Sequence, residues 1–110
     1  MSVSTFDNTT LLGTLIAFRK GDFSVRLPYD VTGVEGKIAD TINEIFEMNL
    51  RLREELARLS NTVGKEGRIS ERATLPGAVG DWTECVDSLN DLIGDLVRPS
   101  TEVARVIGSA

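Results

Sequence analysis

Lys37 to Val63, KIADTINEIFEMNLRLREELARLSNTV, carries its apolar residues on a coiled-coil step. Ile38, Ile42, Ile45, Asn49, Leu52, Leu56, Leu59 and Val63 follow one another by four, three, four, three, four, three and four. That alternation is the heptad seam of a helix whose apolar stripe faces a partner helix. The stretch holds no Gly or Pro, and Glu, Arg, Leu and Ala dominate its second half, so local propensity agrees with the pattern. A helix of this length runs about 40 Å. Asn49 takes an a position in this register. A lone Asn there costs stability and fixes register and strand number, because its amide must find a partner across the seam. The other reading has Asn49 rotated to the rim with no such part.

The 110 residues support one domain or two very small ones. The net charge of −5 argues against nucleic acid or an anionic membrane as partner, since both need a basic surface. The longest apolar run is a few residues, too short for a membrane span or a signal-peptide core. With a single cysteine no internal disulfide forms, and a soluble, cytoplasmic protein is expected. No histidine is present, which removes the commonest acid–base catalyst and metal ligand together.

Met1 to Asp7 is polar and expected to fray, with Asp7 or Asn8 capping a helix over 8–20. Its stripe, Leu11, Leu12, Leu15, Ile16 and Phe18, is wider than a two-in-seven seam, so this helix touches more than one neighbour. Arg19-Lys20-Gly21 stops it. Residues 21–36, GDFSVRLPYDVTGVEG, have no helical period, and Pro28 would break a helix. They read as an extended connector with Leu27, Val31 and Val34 tucked between helices. A connector that long lets the flanking helices lie parallel, where an antiparallel hairpin needs only a short turn. The long helix over 37–63 meets Gly64, and a second connector over 64–80 follows. Asp81 opens and caps a helix over 81–98 in which Trp82, Val86, Leu89, Ile93 and Leu96 repeat the seam step. Val103 and Ile107 continue it, and Pro99 predicts a kink or the restart of a further helix or unit over 99–110.

The connectors align. Gly21-Asp-Phe-Ser-Val-Arg-Leu27 and Gly67-Arg-Ile-Ser-Glu-Arg-Ala73 share glycine, an apolar residue, serine and arginine at matching places. Gly36 and Gly80 are then read as opening matching helices, for a period of 44 to 46 residues. Each unit is helix, connector, helix: 8–54 and 55–98, with the long helix shared. Two short amphipathic helices cannot hide both stripes alone. A homodimer solves this as a parallel four-helix bundle.

These residues resemble HAMP domains, the parallel two-helix signalling modules of sensor histidine kinases and chemoreceptors. GDFSVRLPYDVTGVEGKIADTINEI, VGKEGRISERATLPGAVGDW and DLVRPSTEVARVIG are similar to the poly-HAMP arrays of hybrid histidine kinases, including the soluble kinases of fungal osmosensing and their bacterial relatives. The resemblance covers nearly the whole chain from Leu11 and is most specific in the connectors. Many members carry an acidic residue two positions before the Gly that opens the second helix. Val34 and Ala78 stand there instead, so no capping or switching role is carried over. The resemblance implies a relay of conformational change between neighbouring signalling domains of one longer chain.

No chemistry competes with that expectation. Glu54-Glu55 and Asp91/Asp95 read as solvated helix faces. GVEG, GKEG and PGAVG lack the spacing of a phosphate loop. Trp82 reads as core or part-core, and Cys85 as an inert thiol. No nucleophile constellation suggests an enzyme, and neither cofactor nor metal is expected. Gly21 and Gly67 read as necessary turns. Arg26 and Arg72 recur at one place in both connectors, where they either bond helix ends or solubilise the chain. With Ile69 and Leu75 they complete the connector residues of interest. The expected fold is all-α: two tandem units in a parallel homodimeric four-helix coiled coil, acting as a relay or as a passive dimerisation spacer with one packing.

Overall fold

The computed structural model describes the backbone over residues 7–109 and the side chains over residues 7–96. The expected frayed start over residues 1–6, and the seam positions Val103 and Ile107, lie outside the described residues and side chains. The fold is all-helical: α1 (Asn8–Arg19), α2 (Gly33–Leu59) continued by a π-helical turn (Ser60–Lys65), and α3 (Asp81–Ser109). No strand occurs among the described residues. The chain divides into two compact units, Met1–Leu52 and Arg53–Ala110.

In unit 1, Asp7 caps α1 by accepting the Thr10 N–H at 2.6 Å. The helix ends in a Schellman arrangement. Gly21 N–H bonds Phe18 C=O and Asp22 N–H bonds Ala17 C=O, with Gly21 at φ 106°, a conformation that favours glycine. Phe18 stacks on Phe23 at 4.9 Å between centroids and on Phe46 of α2 at 4.3 Å. Leu27, Ala39, Asn43 and Phe46 are buried. The connector therefore meets α2 first at Glu47, through Arg26, then at Asn43, through Leu27, and reaches its start last. It runs opposite to the helix it leads into.

Helix α2 starts at Gly33, four residues before the expected Lys37. Thr32 C=O accepts the first bond, from Gly36 N–H, so Val34 lies on the helix and is 73% exposed instead of tucked beneath a connector. Gly36 does not open the helix. It packs so close to the connector that an added Cβ would lie 2.3 Å from Val31 C=O.

In unit 2 the buried residues Leu59, Ala73 and Ile93 gather with Val63, Val86 and Leu89, and Leu75 is buried as well. The expected helix end at Val63 is instead the π turn, closed by Glu66 N–H to Asn61 C=O and Arg68 N–H to Thr62 C=O, with Gly67 at φ 71°. Glu55 meets Thr74 while Arg58 meets Glu71, so this connector too runs opposite to the helix before it. Asp81 is the first residue of α3, and Gly80 C=O takes the first helical bond from Glu84, so Asp81 does not stand in the cap position. Of the two expectations at Pro99, a kink or a restart, the restart does not occur: α3 continues to Ser109. A proline removes its own donor, and the residues on either side keep helical geometry.

Candidate functional site

Two asparagines hold the two connectors. Asn43 Oδ1 accepts Leu27 N–H at 2.7 Å and Asn43 Nδ2 donates to Leu27 C=O at 3.0 Å. Asn90 repeats this on Ala73, at 2.6 and 3.2 Å. An amide offers one acceptor and one donor at the spacing of a strand edge, so each Asn satisfies both backbone groups of one connector residue where no sheet can. Neither lies on the heptad seam. The signal was there in TINEIF (41–46) and SLNDLI (88–93), which place Asn43 and Asn90 47 residues apart. Aligning Gly36 with Gly80 hid it. The glycine matching Gly80 (φ 54°) is Gly33 (φ 71°), again 47 residues before it, whereas the connectors repeat after 46, as Gly21 and Gly67 show.

The recurring arginines bond their own connectors. Arg26 Nη1 donates to Phe23 C=O at 2.8 Å and Val25 C=O at 2.5 Å; Arg72 Nη1 donates to Ile69 C=O at 2.8 Å and Glu71 C=O at 2.7 Å. Arg26 also pairs with Glu47, which Arg51 approaches at 3.5 Å. The hydrogen bond from Arg26 holds the Glu47 carboxyl below its usual range. In unit 2 the ionic latch reaches the preceding helix. Arg58 donates twice to Glu55 and once to Glu71, all at 2.8 Å, and Glu55 takes Thr74 N–H at 2.6 Å. These bonds, that from Arg58 foremost, hold the Glu55 carboxyl low and raise the Arg58 pKa. Glu55, read as a solvated face, is a connector anchor; Glu54 and Asp91 are exposed. A polar groove of about 480 Å³ runs beside the unit 1 latch, lined by Arg26, Tyr29, Asp40, Asn43, Glu44, Glu47 and Arg51.

The seam residues fall on two sides. In α2 the inward face is Ala39, Asn43 and Phe46. One residue round, Ile38 (44% exposed) and Ile45 (50%) lie open, with Ile42, Asn49 and Leu52 half-buried. Leu12, Leu15 and Leu56 are also exposed, whereas Leu59 is buried and Val63 half-buried. In α3 the expected seam is split: Val86, Leu89 and Ile93 pack inside their own unit, Trp82 is half-buried, and Leu96 is exposed, as is Leu92, which is not an expected seam position. With the 47-residue period, Leu92 corresponds to Ile45 and Leu96 to Asn49. Among the connector residues Leu27 and Leu75 are buried, Val31 half-buried, and Ile69 exposed. Asn49 Nδ2 donates to Ile45 C=O of its own helix at 2.8 Å. Cys85 is an exposed free thiol.

Among the described residues no group of three or more Cys, Asp or Glu stands where it could hold a metal, and no helix is long and apolar enough to cross a membrane. No family model matches the chain, and no solved structure matches it.

Proposed function

We propose that this chain is a signal-relay segment of the HAMP type, two units in tandem, working as a parallel homodimer without a reaction of its own. The observation that carries this reading is the double face of α2. Ala39, Asn43 and Phe46 are used inside the chain, while Ile38 and Ile45 remain open on the heptad seam. Covering a half-exposed isoleucine recovers about 1 kcal/mol, so a seam of this length favours a second copy. Each connector runs opposite to α2 where it touches it, which is the arrangement that two parallel helices of one unit require. Helix α2 contributes to both units, so a change in its packing at one end reaches the other. Relay needs two packings within a few kcal/mol, each biased from one end, with the neighbouring domains of a longer chain supplying the bias.

Disulfide trapping tests this. In a Cys85→Ser background, Ile45→Cys should cross-link to its own counterpart within a dimer seen by sedimentation equilibrium. A monomer at micromolar concentration, or a dimer that cross-links Ile45→Cys only to a cysteine near the far end of α2, overturns the parallel arrangement.

A further inference from the structure

The two helix ends that precede the connectors are built differently. Helix α1 closes on Gly21 by the tight Schellman bonds, whereas α2 widens into the π turn before Gly67. A π turn holds one residue more than the α turn it replaces. From the rim its wide bonds are reinforced by Asn61 Nδ2 to Glu66 at 2.9 Å and Thr62 Oγ1 to Arg58 C=O at 3.0 Å, and Val63 within it packs on the Leu59, Ala73 and Ile93 cluster. Gly64, within it, has nothing within 4 Å of where a Cβ would stand, so a side chain there meets no obstacle. On the two sides of the turn the second connector is held by separate devices. Glu55 and Arg58 grip it from before the turn, at Thr74 N–H, Glu71 and Arg72 C=O. Asn90 grips it from α3, at Ala73.

We propose that Ser60–Lys65 is a register reserve, a π turn that closes to an α turn and carries the preceding helix round by one residue against the connector, releasing the Glu55–Arg58 latch while the Asn90 clamp stays made. One residue corresponds to about 100° of rotation and 1.5 Å of rise. A shift of that size takes Glu55 off Thr74 and Arg58 off Glu71, and turns Leu59 away from Ala73 and Ile93. The Asn90 bonds lie wholly between the connector and α3 and are untouched by it. This goes beyond the relay reading and stands whether or not two copies associate.

Neighbouring amides report the two devices separately, since Thr74 N–H is held by Glu55 and Ala73 N–H by Asn90. Gly64→Ala favours the α form, because alanine is the better α-helix former. Deletion of Gly64 removes the spare residue. Amide hydrogen exchange of the whole chain should show Thr74 protection falling about tenfold in Gly64→Ala and further in the deletion, with Ala73 protection kept within about twofold in both. Thr74 and Ala73 changing in step, or neither changing, overturns the proposal. So does a deletion variant that no longer folds, because the wide turn is then obligatory rather than a reserve.

Discussion

Asn43 and Leu27 form a closed amide-to-backbone pair, with both polar groups of one connector residue bonded to a single buried side chain. Asn43→Ala leaves a buried N–H and a buried C=O without partners, at a cost of about 2–4 kcal/mol. Asn90→Ala should cost about half as much, because Asn90 is half exposed, its second bond is longer, and water can reach the freed groups. Urea melts followed by circular dichroism measure both. Fluorescence of Trp82, the only tryptophan, follows unit 2, so Asn90→Ala should move the fluorescence transition. Equal losses in the two variants would contradict the difference in burial.

The parts of this fold that were legible in the sequence rest on local chemistry. The stop at Gly21 is written in three consecutive residues, and the helical state of α2 in its apolar step. The Asn clamps were not legible in that way, since each partner is a backbone group 16 or 17 residues away. A polar residue inside a helix reads as surface until that partner is known. The start of α2 was misplaced because Gly33 and Gly36 are both plausible openings, one needed for its positive φ and the other for its close approach to Val31. The α3 stripe was legible as a stripe, but not which half turns inward. Ile93 and Leu92 are adjacent and both strongly apolar, and it is the placement of Leu59 and Ala73 that decides that Ile93 is buried. The π turn uses residues that an α-helix would also accept.

Gly36 and Gly13 make an opposed pair. A Cβ on Gly36 meets backbone, the Val31 carbonyl at 2.3 Å, so Gly36→Ala forces α2 and the connector apart and should cost about 1–3 kcal/mol. Gly13 lies in α1 with nothing within 4 Å, and Gly13→Ala should gain about 0.5–1 kcal/mol from helix propensity. Thermal melts of the two single variants should shift in opposite directions.

Acid should loosen the connectors before it melts the helices. Glu47 and Glu55 both have folded pKa values lowered from the ordinary 4.5. The stability they contribute is therefore fully present above that value and is lost as pH falls through the lowered folded values. Glu55 matters more, because its side chain is 11% exposed against 42% for Glu47, and solvent screens the exposed pair. Stability should be flat from pH 6 to 8, about where no shifted carboxyl titrates, and decline below about pH 4.5. Glu55→Gln should flatten part of that decline, and Glu47→Gln less. Urea midpoints measured across pH 3 to 7 test it, and an unchanged acid limb in Glu55→Gln would refute the assignment.

Asn49 distinguishes a relay from a spacer. It stands half-buried on the open seam, four residues after exposed Ile45, and its amide bonds the Ile45 carbonyl of its own helix. A second copy would cover that amide while leaving its Oδ1 to find a donor, so this layer of the seam costs stability. Asn49→Ile removes the cost and should strengthen the dimer by about 1 kcal/mol or more, seen as a lower dissociation constant in sedimentation equilibrium. For a spacer with one packing, the output of a longer signalling chain carrying the variant stays as it was. For a relay, the polar layer keeps two packings close in energy, and filling it with isoleucine favours whichever packing buries position 49 more deeply. Output should then be fixed high or low and respond less to stimulus. A tighter dimer with an unaltered response would leave α2 as a strut.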